Sequence, residues 1–276
     1  MSLPGNPPLG PWRSGPVTDR AWCVVAPNPG VMTLDGTNTW VLREPGATEC
    51  IVIDPGPLHE GHLRAVLDIV QRDGGRVGLT LLTHDHADHA EAAARFAELS
   101  GAPLRAVRAI GLGHDDLTEG DHLRVGGLEV LVTRTPGHTA DSVSFLLVAE
   151  AALLTGDTVL GRGTTVVAWP DGELAAYLES LERLEKLCGT GAVAQILPGH
   201  GPHLPDAPGV VRYYLEHRAE RLEQVRRAVL SGARSPREVV ETVYADVPQS
   251  VWAAAELSVR AQLDYLEDPQ ARGITP

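Results

Sequence analysis

Lysine is nearly absent from this sequence. Of 276 residues only Lys186 carries it, and arginine fills the other basic positions. The 23 basic side chains face 36 acidic ones, for a net charge of −13. That balance excludes a broad cationic coat for nucleic acid, although a local basic patch is compatible with it. Aromatic residues make up 4% of the chain, and Trp12, Trp22, Trp40, Trp169 and Trp252 are too scattered to form an evident base-stacking platform. Cys23, Cys50 and Cys188 are odd in number and far apart, which excludes a disulfide framework and any C-x-x-C motif. They read as ordinary thiols in a reducing compartment. No apolar run reaches the eighteen or so residues needed to span a bilayer. Residues 1–16 hold five prolines and no apolar stretch, so they read as a loose, extended leader and not as a secretory signal. These absences lead to the expectation of a cytoplasmic protein without membrane attachment.

What is present is ample apolar content, 43%, on a length that suits one large domain or a large one with a small companion. From Trp22 to about Ala207 short β-rich runs alternate with helical patterns. Strands are predicted at Trp22–Ala26, Thr37–Arg43, Cys50–Asp54, Val77–Thr83, Leu128–Thr133, Val143–Val148, Leu153–Thr155 and Ala194–Leu197, each punctuated by Gly, Pro or Asp. Val77–Thr83 is almost wholly apolar, as in a strand covered on both faces. Helices are predicted at His59–Arg72, Asp88–Leu99 and Glu173–Leu187. Interleaved strands and helices indicate an α/β sandwich over residues 17–207. Residues 208–276 read as a small all-helical domain, with helices at Gly209–Leu230, after the N-cap Ser235, and at Ser250–Glu267.

Eleven histidines are the conspicuous surplus. Thr83-His84-Asp85-His86-Ala87-Asp88-His89 follows the buried strand and packs four candidate ligands, His84, His86, Asp88 and His89, into six residues. Side chains two apart in an extended segment point to the same side, while Asp88 and His89 fall where a helix starts and can turn toward a second ion. Three further segments repeat the setting just past a strand: Thr135-Pro136-Gly137-His138-Thr139, Thr155-Gly156-Asp157-Thr158 and Leu197-Pro198-Gly199-His200-Gly201. A glycine before each ligand permits the tight turn required. Imidazole and carboxylate suit zinc and several other first-row metals.

This ordered set resembles the metallo-β-lactamase superfamily over roughly residues 20–207. The resemblance implies an αβ/βα sandwich with two zinc ions in a cleft at one edge of the sheets. Carried over by position, His84, His86 and His138 would bind the first ion, Asp88, His89 and His200 the second, and Asp157 would bridge them. Two such ions can lower the pKa of a shared water and polarise the group attacked, so hydrolysis of an ester-like or phosphodiester bond needs no serine or cysteine nucleophile. Asp88 and Asp157 are thus the catalytic carboxylates implied. Asp157 stands where many true β-lactamases carry cysteine, which points to the glyoxalase II and RNase Z side of the superfamily. Asn28 to Trp40, Glu216–Glu223 and Val243-Tyr244 are similar to the lactamase-β-like protein 2 family. That likeness implies a winged-helix-like tail. Its animal members are similar to single-strand RNA endonucleases, and related fungal enzymes act on carrier-protein thioesters.

The substrate is accordingly expected to be either single-stranded RNA or a small acyl or thioester compound, with no obligate protein partner evident. A glyoxalase II-like hydrolase and a non-catalytic, metal-stabilised binding protein are the alternatives. Arg218 and Arg221 belong to a run of seven arginines against three glutamates over residues 208–237 and could grip an anionic substrate. The opposing reading is a solvated helix laced by ion pairs. Thr33 and Asn38 are candidate substrate contacts, and His203 is a candidate proton donor. His59, His62, His114, His122 and His217 have no partners visible in sequence.

Overall fold

The computed structural model describes residues 10–107 and 116–267; His114 lies outside them. Two sheets face each other. The first has the order β1 (Gly15–Pro16), β2 (Ala21–Val25), β3 (Asn38–Leu42), β4 (Glu49–Ile53), β5 (Arg76–Leu81) and β6 (Leu104–Arg105). Its β3–β4 pairing is antiparallel, and β4, β5 and β6 run parallel. The second has the order β11 (Gln195–Pro198), β10 (Ala152–Gly156), β9 (Val143–Leu147), β8 (Leu128–Arg134) and β7 (His122–Val125), with β10 and β11 parallel.

Apolar side chains alternate inward, so Trp40, Leu42, Ile51, Ile53 and Leu81 of one sheet meet Val130, Val132, Phe145, Leu147 and Leu154 of the other. The outer face of the first sheet is covered by α1 (Glu60–Val70) and α3 (Ala93–Ser100), through Leu63, Val66 and Phe96. The outer face of the second is covered by α4 (Leu174–Gly189) and by the start of α5 (Ala207–Leu230), through Tyr177, Leu181, Val210 and Tyr214. The result is the expected layered αβ/βα sandwich.

The tail continues with α6 (Pro236–Val243) and α7 (Trp252–Glu267). Ser235 caps α6 as expected, its Oγ accepting from the Glu238 N–H at 3.2 Å. Val225 and Ala228 of α5 pack with Val239, Val240 and Val259. Thus α5 belongs to two cores, its first half to the sandwich and its second half to the tail. No helix among the described residues is long and apolar enough to cross a membrane.

Three sequence expectations are corrected. The helix expected over Asp88–Leu99 is broken into a single turn, α2 (Ala87–Ala90), followed by α3. The described end of the leader is docked, not loose: Gly15–Pro16 pairs with β2, and the Trp12 indole N–H donates to Asn38 Oδ1 at 3.0 Å. The short strands β6 and β7 were not expected at all.

His62 is a core residue. Thr39 Oγ1 donates to Asp54 O at 2.6 Å, which leaves His62 Nε2 to donate to Thr39 Oγ1 at 2.8 Å. Burial, with His59 nearby, pushes the His62 pKa down to about 4. The unfolded chain therefore takes up this proton first, and stability present above pH 6.5 is lost as pH falls toward 4. For metal-free protein, urea unfolding at pH 7 and pH 4.5 is expected to show wild type losing about 2–3 kcal/mol more than His62→Gln over that interval. Equal losses would contradict the assignment, because every other buried histidine is common to both proteins.

Candidate metal centre

Every one of the four ligand-bearing segments leaves the carboxyl end of a strand. His84 follows β5, His138 follows β8, Asp157 follows β10 and His200 follows β11. The two sheets are joined at this edge, where the Val143 N–H donates to Thr83 O at 2.9 Å and the Asn38 N–H to Gly199 O at 2.8 Å. Crevices outside the carboxyl ends of strands are the usual place for ligands in open α/β sheets.

Glycine is needed for this convergence. Gly156 has a left-handed backbone, φ +49°. At Gly199 a Cβ would sit 2.6 Å from Asp157 Oδ1 and 2.8 Å from His89 Cε1, so any larger residue would displace both side chains.

The seven expected ligands lie together. His84, His86 and His138 form one group, Asp88, His89 and His200 another, and His84, His89 and Asp157 a third between them; within each group the donor atoms are within 4.8 Å of one another. His86 Nδ1 is 3.1 Å from His138 Nε2, and His89 Nε2 is 3.2 Å from His200 Nε2. Asp88 Oδ2 is 3.1 Å from His200 Nε2 and 3.5 Å from His89 Nε2. Asp157 spans the groups: Oδ1 is 3.4 Å from His89 Nε2, while Oδ2 is 3.3 Å from His200 Nε2 and 3.8 Å from His138 Nε2. Four-coordinate zinc with bonds of about 2.0–2.1 Å has ligand–ligand edges of about 3.3 Å, which these separations match. His84 Nε2 is buried and makes no hydrogen bond. The donor set and its spacing fit metal ions.

The far side of most rings is fixed, as orientation of a metal-binding imidazole requires. His138 Nδ1 donates to Val166 O at 2.6 Å, and His200 Nδ1 to Gly36 O at 3.3 Å. His84 Nδ1 is 3.0 Å from Thr83 Oγ1. His89 Nδ1 donates to Asp54 Oδ2 at 2.8 Å. Thr37 Oγ1 donates to Asp88 Oδ2 at 3.3 Å and is itself held by Asn28.

Electrostatics divides the two groups. Burial, reinforced by neighbouring histidines, holds His84 well below the ordinary histidine range, and burial holds His138 down at about 4, so both are neutral. In the other group burial opposes charge but Asp157 and its partners prevail. His200 is raised to about 9 by Asp157 and Asp88, and His89 is raised by Asp157 and Asp54. Against the same burial, His200 and His89 hold Asp88 down to about 2 and hold Asp157 well below the carboxylate range. A metal ion binding here must displace protons from His89 and His200.

Beside His138 and Asp157 opens a cleft of about 380 Å³ that reaches the helical tail. Val31, Met32, Leu34, Leu160, Val166 and Val247 give it an apolar wall, and His217, Arg218 and Arg221 contribute from α5.

The other expected site residues fare differently. Asn38 is fully buried, its Nδ2 donating to Pro198 O and Gly201 O; it fixes the His200 loop and is corrected from substrate contact to support. Thr33 is turned to Asn28 O at 2.6 Å, while its neighbours Met32 and Leu34 line the cleft. His203 is corrected too: its Nε2 bonds Gln195 Oε1 at 2.7 Å, at the end of β11 remote from His200. Arg218 is 5% exposed, lies 4.9 Å from the Tyr177 ring centroid and donates to Thr165 O, so its guanidinium faces the protein and not a ligand. Arg221 stacks on Tyr244 and donates to Val243 O at 2.8 Å. Arg226 and Arg227 pair with Glu223 on the solvent side, as the ion-pair reading expects.

Three residues escaped the sequence reading. Asp54 and Thr37 brace ligands, and His217 lines the cleft with its buried Nδ1 unbonded. Asp54 had a signal: it ends an apolar strand before Pro55-Gly56, the setting of the ligand segments. Thr37 and His217 had none: Asp88, which Thr37 holds, is 51 residues away, and the ring beside His217 is that of Tyr213 on the same helix, which marks no site.

Comparison with known proteins agrees with this geometry. The profile described as "Metallo-beta-lactamase superfamily" matches residues 32–114 and 110–188, and "Beta-lactamase associated winged helix domain" matches residues 235–270. The chain is 31% identical over 265 residues to a beta-lactamase-like protein 2 homolog of Drosophila melanogaster, covering 87% of this chain and 85% of that one. It is 31% identical over 253 residues to an atrochrysone carboxyl ACP thioesterase of Aspergillus fumigatus, covering 85% and 76% respectively. Among solved structures, a beta-lactamase domain protein from Burkholderia ambifaria superposes with a TM-score of 0.79 at 23% identity, over 96% of this chain and 91% of that one. With its matching profile, its sandwich and its ordered histidine and aspartate segments, the chain belongs to the metallo-β-lactamase superfamily.

Proposed function

We propose that this protein is a zinc-dependent hydrolase of thioesters, or of closely related acyl compounds, that works with two zinc ions. His84, His86 and His138 would hold one ion, Asp88, His89 and His200 the other, and Asp157 would reach both. Bound there, the ions would supply an acidified water and Lewis-acid polarisation of a carbonyl.

The observation that carries the substrate class is the apolar cleft running from His138 and Asp157 to the tail. Its wall of Val31, Leu34, Leu160, Val166 and Val247 can take up an acyl group, exclude water and hold the carbonyl against the ligand cluster. The neutral state of His84 and His138 keeps their lone pairs available to a cation. Asp54 keeps His89 in one orientation by accepting its Nδ1 proton. Thiolate is also a good leaving group, with a pKa of about 8.5, and departs without a dedicated acid. That requirement suits a site in which His203 is engaged elsewhere. The fungal thioesterase among the relatives supports the same class.

The test is a side-by-side assay of acyl-CoA esters of graded length and of unstructured RNA, with wild type and Asp157→Ala. Thioester hydrolysis that rises with acyl length and vanishes in Asp157→Ala is expected. Cleavage of RNA with no thioester turnover would overturn the proposal. A smaller effect checks the cleft directly. Ala254→Leu, which adds bulk to the wall, is expected to lower kcat/KM for the longest good substrate about tenfold while sparing acetyl-CoA. An equal fall for both would contradict the cleft's role.

A further inference from the structure

The loop between β10 and α4 carries the carbonyl that orients His138, and the helical tail holds that loop at several points. Tyr214 on α5 receives the Leu160 N–H at 2.8 Å and donates to Gly163 O at 3.2 Å. Arg218, also on α5, donates to Thr165 O. Ser258 on α7 accepts the Val167 N–H at 3.1 Å. The last two bonds fall on successive peptide units, on either side of Val166. The carbonyl of the Val166–Val167 peptide accepts from His138 Nδ1, and the N–H of that same peptide donates to Ser258 Oγ. Because a peptide is planar, fixing its N–H fixes the direction of its carbonyl. Arg218 fixes the preceding carbonyl. His138, Ser258, Arg218 and Val167 are all buried, so each of these polar groups depends on its partner in the protein.

The consequence concerns tautomer as well as position. A carbonyl only accepts, so His138 Nδ1 must carry the proton, and Nε2 then offers its lone pair toward His86 and Asp157. We propose that Ser258 and Arg218 are positioning residues for His138, acting through the Val166–Val167 peptide, so that the helical tail completes the metal centre from outside it. The inference rests on the reading of His138 as a metal ligand and extends it to residues of the tail that touch no ligand atom of the cluster.

The experiment is a zinc titration of full-length, metal-free protein against a chromophoric chelator, with cobalt(II) absorption as a second readout. Ser258→Ala and Arg218→Met are expected to weaken one of two metal equivalents about 10–100-fold and to alter the cobalt spectrum, leaving the other equivalent close to wild type. Ser258→Thr keeps the hydroxyl, and the adjoining cleft has room for its methyl; it is expected to restore affinity to within about threefold of wild type. Arg227→Gln, on the exposed face of α5, is expected to change nothing. If Arg218→Met does not fold, Ser258→Ala still decides the matter. Unchanged affinity in a folded Ser258→Ala protein, or equal weakening of both equivalents, overturns the inference. His138→Ala separates the two levels. If it still binds two equivalents, the ligand reading fails and takes the inference with it. If it binds one while Ser258→Ala binds as wild type, only the inference fails.

Discussion

Asp157→Ala is expected to reduce thioester hydrolysis about 10³-fold or more, which is at least about 4 kcal/mol of transition-state stabilisation. The reason is charge. Two divalent ions held by these groups would repel each other, and a carboxylate that reaches both would offset that repulsion within a buried site. Asp157 is placed for this, with one oxygen beside His89 and the other beside His200 and His138. Its carboxyl is held far below the usual range even though burial favours the neutral acid, because His200 and His89 stabilise the charge. Alanine removes the charge but keeps the imidazoles, so the variant is expected to bind one metal equivalent firmly and the second weakly. Elemental analysis after gel filtration, with turnover at saturating zinc, checks both parts. Activity within tenfold of wild type would show that the carboxylate is dispensable.

Asp54→Ala is expected to cost about 3–5 kcal/mol of stability and to weaken the second metal equivalent about 10–100-fold. Asp54 is buried and holds a left-handed backbone, φ +52°. Its oxygens accept from the Thr83 N–H at 2.8 Å, from Thr83 Oγ1 at 2.7 Å and from His89 Nδ1 at 2.8 Å. Alanine would leave three buried donors unsatisfied and let His89 turn. Asp54→Asn is expected to fall between, since an amide oxygen accepts while its NH₂ opposes a donor. Urea unfolding of metal-free protein measures the first effect and chelator competition the second. A loss below about 1 kcal/mol with unchanged metal affinity would contradict the role given to Asp54.

The candidate ligands were legible because each motif is local. Five histidines and two aspartates sit just past strand ends, with a glycine that permits the turn before His138, Asp157 and His200, and the fold only has to bring four strand ends to one edge. Asp54 was harder, because its partners Thr83 and His89 are 29 and 35 residues away and no local pattern pairs them. Asn38 misled for the opposite reason: at the start of a predicted strand and next to a Gly/Thr-rich loop it reads as free to reach a substrate, yet its amide is spent on the backbone of the His200 loop 160 residues on. The tail arginines looked alike in sequence, and burial sorts them. Arg226 and Arg227 face solvent, whereas Arg218 is inside because Tyr177 and Thr165 receive it. The strands β6 and β7 escaped for want of length and apolar pattern; Leu104–Arg105 is two residues long. The break between α2 and α3 falls in an alanine-rich segment with neither Gly nor Pro to mark it; there Gly56 takes the backbone bonds, its N–H donating to His89 O and its carbonyl accepting from the Ala92 N–H, both at 3.0 Å.

The most direct test of the central claim is to titrate metal-free protein with zinc while following both heat of binding and hydrolysis of an acyl-CoA ester. Saturation at two equivalents is expected, with turnover rising chiefly as the second is filled and with proton release that reflects displacement from His89 and His200. Full turnover in rigorously metal-free protein, or saturation below one equivalent, would contradict the account.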